Sequence, residues 1–71
     1  MMIDDAPKLR VGQYICSEVL MGKIMFARKY DGNWYYIIEQ PMPHDRYTYE
    51  QIQDIDVRLV WRNGRWTDIN R

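Results

Sequence analysis

The sequence has few of the residues from which most catalytic and metal sites are built. It contains a single cysteine, Cys16, and a single histidine, His44. One cysteine can form no internal disulfide, and an unpaired thiol is typical of a reducing compartment, which predicts a cytoplasmic location. One histidine and one cysteine supply neither a histidine cluster nor a cysteine cage for a metal. We therefore expect a protein that is not an enzyme and that holds no cofactor.

Net charge is lacking as well. Ten basic and ten acidic side chains cancel, so the global attraction that draws proteins to nucleic acids or anionic membranes is absent. No apolar run approaches the about 20 residues of a membrane-spanning helix. The first residues include Asp4 and Asp5, where a signal peptide would carry bases. These features predict a soluble chain that does not contact a membrane.

The charges are nevertheless uneven along the chain. Residues 31–56 hold one base and six acids, whereas residues 57–71 hold four arginines and one acid. Charged side chains on a small domain are mostly solvated. We expect the acidic middle and the basic end mainly to face each other or the solvent.

Aromatic residues are abundant, with six Tyr, three Trp and one Phe in 71 residues. A chain of this size buries only roughly 60% of the surface that its unfolded form exposes, and each buried aromatic side chain removes about 150–250 Å² from water. The aromatic residues exceed what one small core can enclose. Some of them should be exposed, and exposed Tyr and Trp are enriched where proteins bind partners.

The clearest local signal is Asn63-Gly64, which predicts the two-residue turn of a hairpin because both positions of a type I′ turn need positive φ. This turn places Trp61 opposite Trp66 and Arg62 opposite Arg65. Residues 55–61 alternate between apolar and other side chains. We expect Ile55, Val57 and Leu59 to share the core face with the two indoles, and the arginine pair to lie on the other face.

A second hairpin is predicted for residues 23–40, around Asp31-Gly32-Asn33. A two-residue loop would place Phe26 opposite Ile37, and a three-residue loop would place it opposite Ile38. We favour the three-residue loop, because Asn33 tolerates the left-handed conformation that such loops need. It gathers six side chains on one face: Phe26, Arg28, Tyr30, Trp34, Tyr36 and Ile38.

The remaining chain gives weaker signals. Residues 1–8 are predicted to form a flexible tail. Residues 11–15 are predicted to form a short strand with a bend at Gly12. Residues 41–43 carry two prolines and should end a strand. Thr48 and Gln51 fit a capping box, which predicts a helical or 3-10 turn over residues 49–53, with Ile52 and Ile55 facing the core.

Five short strands with one such turn predict a mainly all-β domain over residues 9–71, a small closed or nearly closed barrel. Three segments, 11–15 (Val-Gly-Gln-Tyr-Ile), 22–24 (Gly-Lys-Ile) and 31–37 (Asp-Gly-Asn-Trp-Tyr-Tyr-Ile), together resemble the rhythm of small SH3-like barrels of the Tudor and KOW type. The resemblance covers about residues 9–40. It implies a five-stranded SH3-like barrel with its short turn near residues 49–53.

Exposed aromatic and arginine side chains are the candidate binding residues. In SH3-like barrels the ligand groove often lies between the long loops and the turn before the last strand, and this resemblance favours Tyr47 and Tyr49. The complete predicted set for a partner is Arg28, Tyr36, Arg46, Tyr47, Tyr49, Arg62 and Arg65.

Two functions fit these observations. The first is a protein-interaction module that binds a protein segment or a second copy of itself, as an accessory subunit or as a phage or mobile-element inhibitor of a host protein. The second is a nucleic-acid or nucleotide binder that stacks bases on aromatic rings and holds phosphates with Arg58, Arg62 and Arg65.

Overall fold

The structure, a computed structural model, describes residues 7–69 and consists mainly of antiparallel strands. Its six strands and one 3-10 turn are β1 (Tyr14–Ser17), β2 (Met21–Tyr30), β3 (Asn33–Met42), β4 (Arg46–Gln53), the turn Asp54–Asp56, β5 (Val57–Arg62) and β6 (Arg65–Asp68). The prediction of a mainly β fold is confirmed. The predicted tail lies outside the described residues except for Pro7 and Lys8, and so do the last two residues of the predicted domain.

The strands form one sheet in the order β4-β3-β2-β1-β5-β6. The sheet curls into half a barrel, and β4 and β6 are its two edges. There are six strands in place of the expected five, because residues 46–53 form β4. β1 begins only at Tyr14, after Gly12 has bent the chain with a φ of 96°.

The core lies on one face of this sheet, here called the inner face; the opposite face is the outer face. The inner face receives Leu9 from the segment before β1. Each fully buried aliphatic side chain contributes about 1.5–3 kcal/mol. The buried residues of the core are Leu9, Ile15, Ile24, Tyr36, Ile38, Ile52, Val57 and Val60.

The hairpin of β5 and β6 forms as predicted. Asn63 and Gly64 have φ values of 51° and 80°. Trp61 pairs with Trp66, and the two arginines beside the turn pair with each other. The local turn signal therefore determines the register of this hairpin correctly.

The register predicted for the hairpin of β2 and β3 is wrong. Asp31 and Gly32 have φ values of 51° and 81°, and Tyr30 pairs with Asn33, so the loop has two residues. Positive φ at both positions gives a turn whose twist matches that of the strands. The ladder pairs Arg28 with Tyr35 and Ala27 with Tyr36, so Arg28 and Tyr36 lie on opposite faces rather than on one.

Strand β2 also contains a β-bulge. Ile24 pairs with Ile38 and Phe26 with Ile37, which leaves Met25 as the extra residue. A bulge changes the phase of the alternation between faces. For this reason Ile24 faces the core while Phe26, two residues later, lies on the outer face.

The helical turn predicted for residues 49–53 is wrong as well. β4 pairs with β3 over its whole length, from Met42 with Arg46 to Tyr35 with Gln53. A capping interaction contributes only about 1 kcal/mol, which is less than a full ladder of cross-strand contacts. The 3-10 turn lies directly after β4, where the Gln53 N–H donates to Asp56 Oδ2 over 3.0 Å.

The two isoleucines of this region behave differently. Ile52 is buried in the core as predicted, whereas Ile55 is 86% exposed. Ile55 lies in the 3-10 turn rather than in a strand or helix that packs on the sheet. The prediction that Ile55 faces the core is wrong.

Strand β5 carries a second bulge, and it changes which side chains reach the core. Cys16 pairs with Leu59 and Ser17 with Val57, so Arg58 is the extra residue. Val57 and Val60 are buried, while Trp61 is exposed. The prediction that Leu59 and the indoles share the core face with Val57 is therefore wrong.

Candidate functional site

The β5 bulge turns both indoles of the last hairpin to the outer face, where they line an apolar groove. Residues from five strands meet there: Tyr14, Met21, Gly22, Pro41, Trp61 and Trp66. The cavity has a volume of about 340 Å³ and is lined almost entirely by apolar atoms. We call it the indole groove.

The two indoles form a fixed pair at one wall of the indole groove. The ring centroids of Trp61 and Trp66 are 5.4 Å apart, and the rings cross at 78°. This edge-to-face arrangement is a preferred geometry for aromatic pairs and contributes about 0.5–1.5 kcal/mol beyond area burial. Trp61 is 44% exposed and Trp66 is 37% exposed. The pair therefore stabilises the hairpin and still offers ring surface to a ligand.

Tyr14 connects the indole groove with a polar row on the same face. Tyr14 pairs with Lys23, Lys23 with Glu39 and Glu39 with Tyr49, so the row crosses four strands. The Tyr49 hydroxyl donates to Glu39 Oε2 over 2.9 Å, and this hydrogen bond raises the pKa of Tyr49. The outer face thus has an apolar groove beside a row of charged and phenolic groups.

Gly22 is required by the close approach of β2 and β3 beside the groove. A Cβ atom at this position would lie 2.3 Å from the Glu39 carbonyl oxygen and 2.7 Å from Ile38 Cγ2. Real contacts are never this short, so any larger residue would push the two strands apart. Gly22 therefore helps to set the shape of the groove.

Three of the predicted binding residues lie on β4. Tyr47 and Tyr49 are exposed on the outer face, where Tyr47 pairs with Pro41 of the indole groove. Arg46 is exposed and lies one position before Tyr47, on the other face. The structure thus brings the two tyrosines to the groove side of the sheet.

Arg28 lies elsewhere on the outer face, near the turn of β2 and β3. Its guanidinium carbon is 5.9 Å from the centroid of the Tyr30 ring, within the range of a cation–π contact. Arg28 and Tyr30 line a shallow cavity of about 270 Å³ together with Tyr35 and Gln51. Arg28 takes no part in the indole groove.

Tyr36 was predicted on an exposed surface and is fully buried, with 0% exposure. It faces the core because the two-residue turn places it opposite Ala27. Its hydroxyl and Asp54 Oδ1 are both buried, and neither forms a hydrogen bond within the described part of the chain. Burial raises the pKa of Tyr36, and the nearby Asp54 carboxylate raises it further. Tyr36 cannot contact a partner while the domain is folded.

The arginines of the last hairpin are separated from the indoles. Arg62 and Arg65 face each other across the ladder, and alternation places them on the face opposite Trp61 and Trp66. Neither forms an ion pair with a carboxylate of residues 7–69. Arg58 pairs with Glu18, which lies outside the acidic segment 31–56. The last hairpin therefore does not combine its indole rings and its paired arginines in one surface.

Sequence reasoning missed the indole groove because it missed the β5 bulge. Tyr14, Met21 and Pro41 were in no predicted site, and the indoles were assigned to the core. One signal was present: Val60 is an apolar residue on the side of the alternation otherwise occupied by Asp56, Arg58 and Arg62. An apolar residue out of phase can indicate a change of face.

Residues 7–69 contain neither a cluster of metal ligands nor a membrane-spanning helix. Three or more His, Cys, Asp or Glu side chains nowhere come together there as metal ligands would. No helix in that range has the length and apolar character to cross a membrane. No model of a protein family, no curated protein and no solved structure matches this chain.

Proposed function

We propose that the protein is a non-enzymatic interaction module that binds a segment of a protein partner in the indole groove. The observation that carries this proposal is the pair Trp61 and Trp66, held edge to face and still partly exposed within the described part of the chain. Tryptophan and tyrosine are enriched among the residues that dominate protein interfaces. Exposed rings of this kind lower the solubility of a protein. A bound partner would cover them and remove this disadvantage.

The dimensions of the groove support a peptide segment as its ligand. A volume of about 340 Å³ holds a few side chains. The outer face extends beyond the groove to Tyr47 and Tyr49, so a longer segment would find further contacts. Apolar walls select aliphatic or proline side chains, since aromatic grooves recognise extended proline-containing segments in several kinds of module. We expect an extended segment with one or two such residues.

The wider setting is part of the same proposal. The single cysteine supports a cytoplasmic protein, and short hairpins with a curled sheet are consistent with a relative of SH3-like barrels of the Tudor and KOW type. A small module of this kind acts as an accessory subunit or as a phage or mobile-element inhibitor of a host protein.

Site-specific photo-crosslinking tests the proposal. A benzophenone amino acid at Met21, inside the groove, should capture a partner from the native host, and the same amino acid at Phe26 should not, because Phe26 is exposed on the same face outside the groove. Trp66→Ala should weaken binding of the captured partner by about 30-fold or more, the loss expected for an interface residue of this kind.

Two outcomes would overturn the proposal. One is equal capture from Met21 and Phe26, and the other is a captured partner whose affinity is unchanged by Trp66→Ala. Circular dichroism of each variant separates loss of binding from loss of the fold.

A further inference from the structure

Within residues 7–69 the sheet ends in a long unpaired edge. β4 is paired on one side with β3, and its other side has no neighbouring strand in the sheet order. Its first six residues are all exposed. Natural edge strands are normally short or protected by lysine, proline or a bulge. β4 is eight residues long and has none of these three features.

The sequence of this edge is complementary to itself. In an antiparallel pair, opposite residues direct their N–H and C=O groups in the same sense, toward each other or away. In a symmetric pair of two β4 strands the two-fold axis therefore lies midway between the two copies of one residue. At that position the residue of one copy lies opposite the same residue of the other copy. With the axis at Thr48, Arg46 lies opposite the partner's Glu50, and Tyr47 lies opposite the partner's Tyr49.

We infer that β4 pairs antiparallel with β4 of a second copy, about an axis at Thr48. Every central pair in this register is a favourable type: opposite charges, aromatic with aromatic, and threonine with threonine. By symmetry each charge and aromatic pair occurs twice. The six-stranded sheets of the two copies join into one continuous sheet.

Two other registers of the same edge are worse. An axis at Tyr49 would place Arg46 opposite the partner's Ile52, which is a buried residue of the core. An axis at Glu50 would place two glutamates directly opposite each other, which is destabilising. Charge complementarity thus favours the register at Thr48 over these two.

Two charges of β4 have no ion pair among residues 7–69. Arg46 and Glu50 form none with any side chain of residues 7–69. They lie four positions apart on the same strand, about 13 Å at the usual rise per residue, which is too far for a direct contact. The second copy supplies what each of them lacks.

This inference does not depend on the indole groove. It concerns the edge of the sheet, whereas the proposed function concerns the outer face. Trp66→Ala should therefore leave the association of two copies unchanged. The two proposals can fail separately.

Charge reversal with sedimentation equilibrium tests the inference. We expect the wild type to form dimers, and both Arg46→Glu and Glu50→Arg to raise the dissociation constant by about tenfold or more, since two attractive pairs become repulsive. An equal mixture of the two variants should form heterodimers, because each repulsive pair then becomes an attractive one. The double variant R46E/E50R should dimerise like the wild type.

The matched control is Arg10→Glu, which makes the same change of charge at an exposed residue outside β4, and it should dimerise normally. A wild type that remains monomeric at the highest soluble concentration would overturn the inference. So would a dimer that both single reversals leave intact, since it would use another surface. Circular dichroism confirms that each variant keeps its strands.

Discussion

Tyr36 places a phenol hydroxyl inside the core, beside the buried Oδ1 of Asp54. A buried polar group without a hydrogen bond costs about 1–3 kcal/mol. The ring itself is useful, because it belongs to the same core cluster as Leu9 and Ile52. The hydroxyl adds a requirement that the surrounding core does not meet.

Replacing Tyr36 with Phe should change the free energy of unfolding by no more than about 1 kcal/mol, since the ring stays in place and only a hydroxyl with no well-formed hydrogen bond among the described residues is removed. Tyr36→Ala should instead lower it by about 3–5 kcal/mol, because it leaves a cavity. Urea unfolding at neutral pH measures both. A Tyr36→Phe variant that is clearly less stable than the wild type would show that the hydroxyl has a partner after all.

The same residue predicts a dependence on alkaline pH. Its pKa is raised in the folded protein, so the folded state keeps the proton that the unfolded state releases above the usual tyrosine pKa of about 10. This contribution is fully present below pH ~10 and is lost as pH rises further. This loss falls roughly between pH 10 and 12. Over that range the free energy of unfolding should decrease less for Tyr36→Phe than for the wild type. Tyr30→Phe, at an exposed tyrosine, is the control, and parallel losses in wild type and Tyr36→Phe would contradict the prediction.

At the level of elements, the sequence predicts what depends on neighbouring residues. The Asn63-Gly64 turn and its cross-strand pairs follow from the φ preferences of two residues. The Asp31-Gly32 turn has the same geometry. The predicted three-residue loop is wrong because Asn33 begins β3 and does not take the left-handed conformation. The strand content of the described chain is predictable because it also depends on residues that are neighbours in sequence.

What could not be predicted depends on strands that are distant in sequence. The bulge residues Met25 and Arg58 are defined by their partners on β3 and β1, and nothing in their own chemistry marks them. The same holds for β4, whose capping pattern at Thr48 is overruled by pairing with β3. The indole groove depends on the Arg58 bulge, so it was missed together with it.

The β2 bulge predicts an unusual tolerance to deletion. Removal of Met25 brings Ile24 and Phe26 together opposite Ile38 and Ile37, which makes the ladder regular and keeps every side chain on its face. The loss should be about 1 kcal/mol, typical of a modest change. Thermal unfolding measures it.

Deletion of Glu39 is the matched control. It would shift one half of β3 out of phase with both of its neighbours, β2 and β4, and a shift by one residue moves every following side chain to the other face. This variant should not fold. Equal behaviour of the two deletions would show that the assigned bulge is absent.

On the scale of the whole molecule, charge and aromatic surface are distributed in a way that disfavours nucleic acid. The net charge is zero, and the arginine pair of the last hairpin lies on the face opposite the indoles. Base stacking and phosphate contacts must act on the same strand to bind it. Neither the zero net charge nor the separation of these arginines from the indole groove favours binding of a nucleic acid.

We therefore expect no binding of a labelled single-stranded oligonucleotide at physiological ionic strength, as measured by fluorescence anisotropy. Weak binding at low salt should vanish as salt increases, because contacts with phosphates release counterions. Binding that persists at physiological salt and is lost in Trp61→Ala would contradict this prediction and restore the alternative function.

The order of the strands has a consequence for how the chain folds. Of the five strand pairings in the described residues, four join strands that follow each other in the chain, and only β1 with β5 joins distant ones. Local pairings form quickly, and distant ones slowly. The meander from β1 to β4 can therefore form before β5 pairs with β1. The last hairpin, which carries both indoles, then adds to an existing edge, so the groove is the last part of the molecule to be completed.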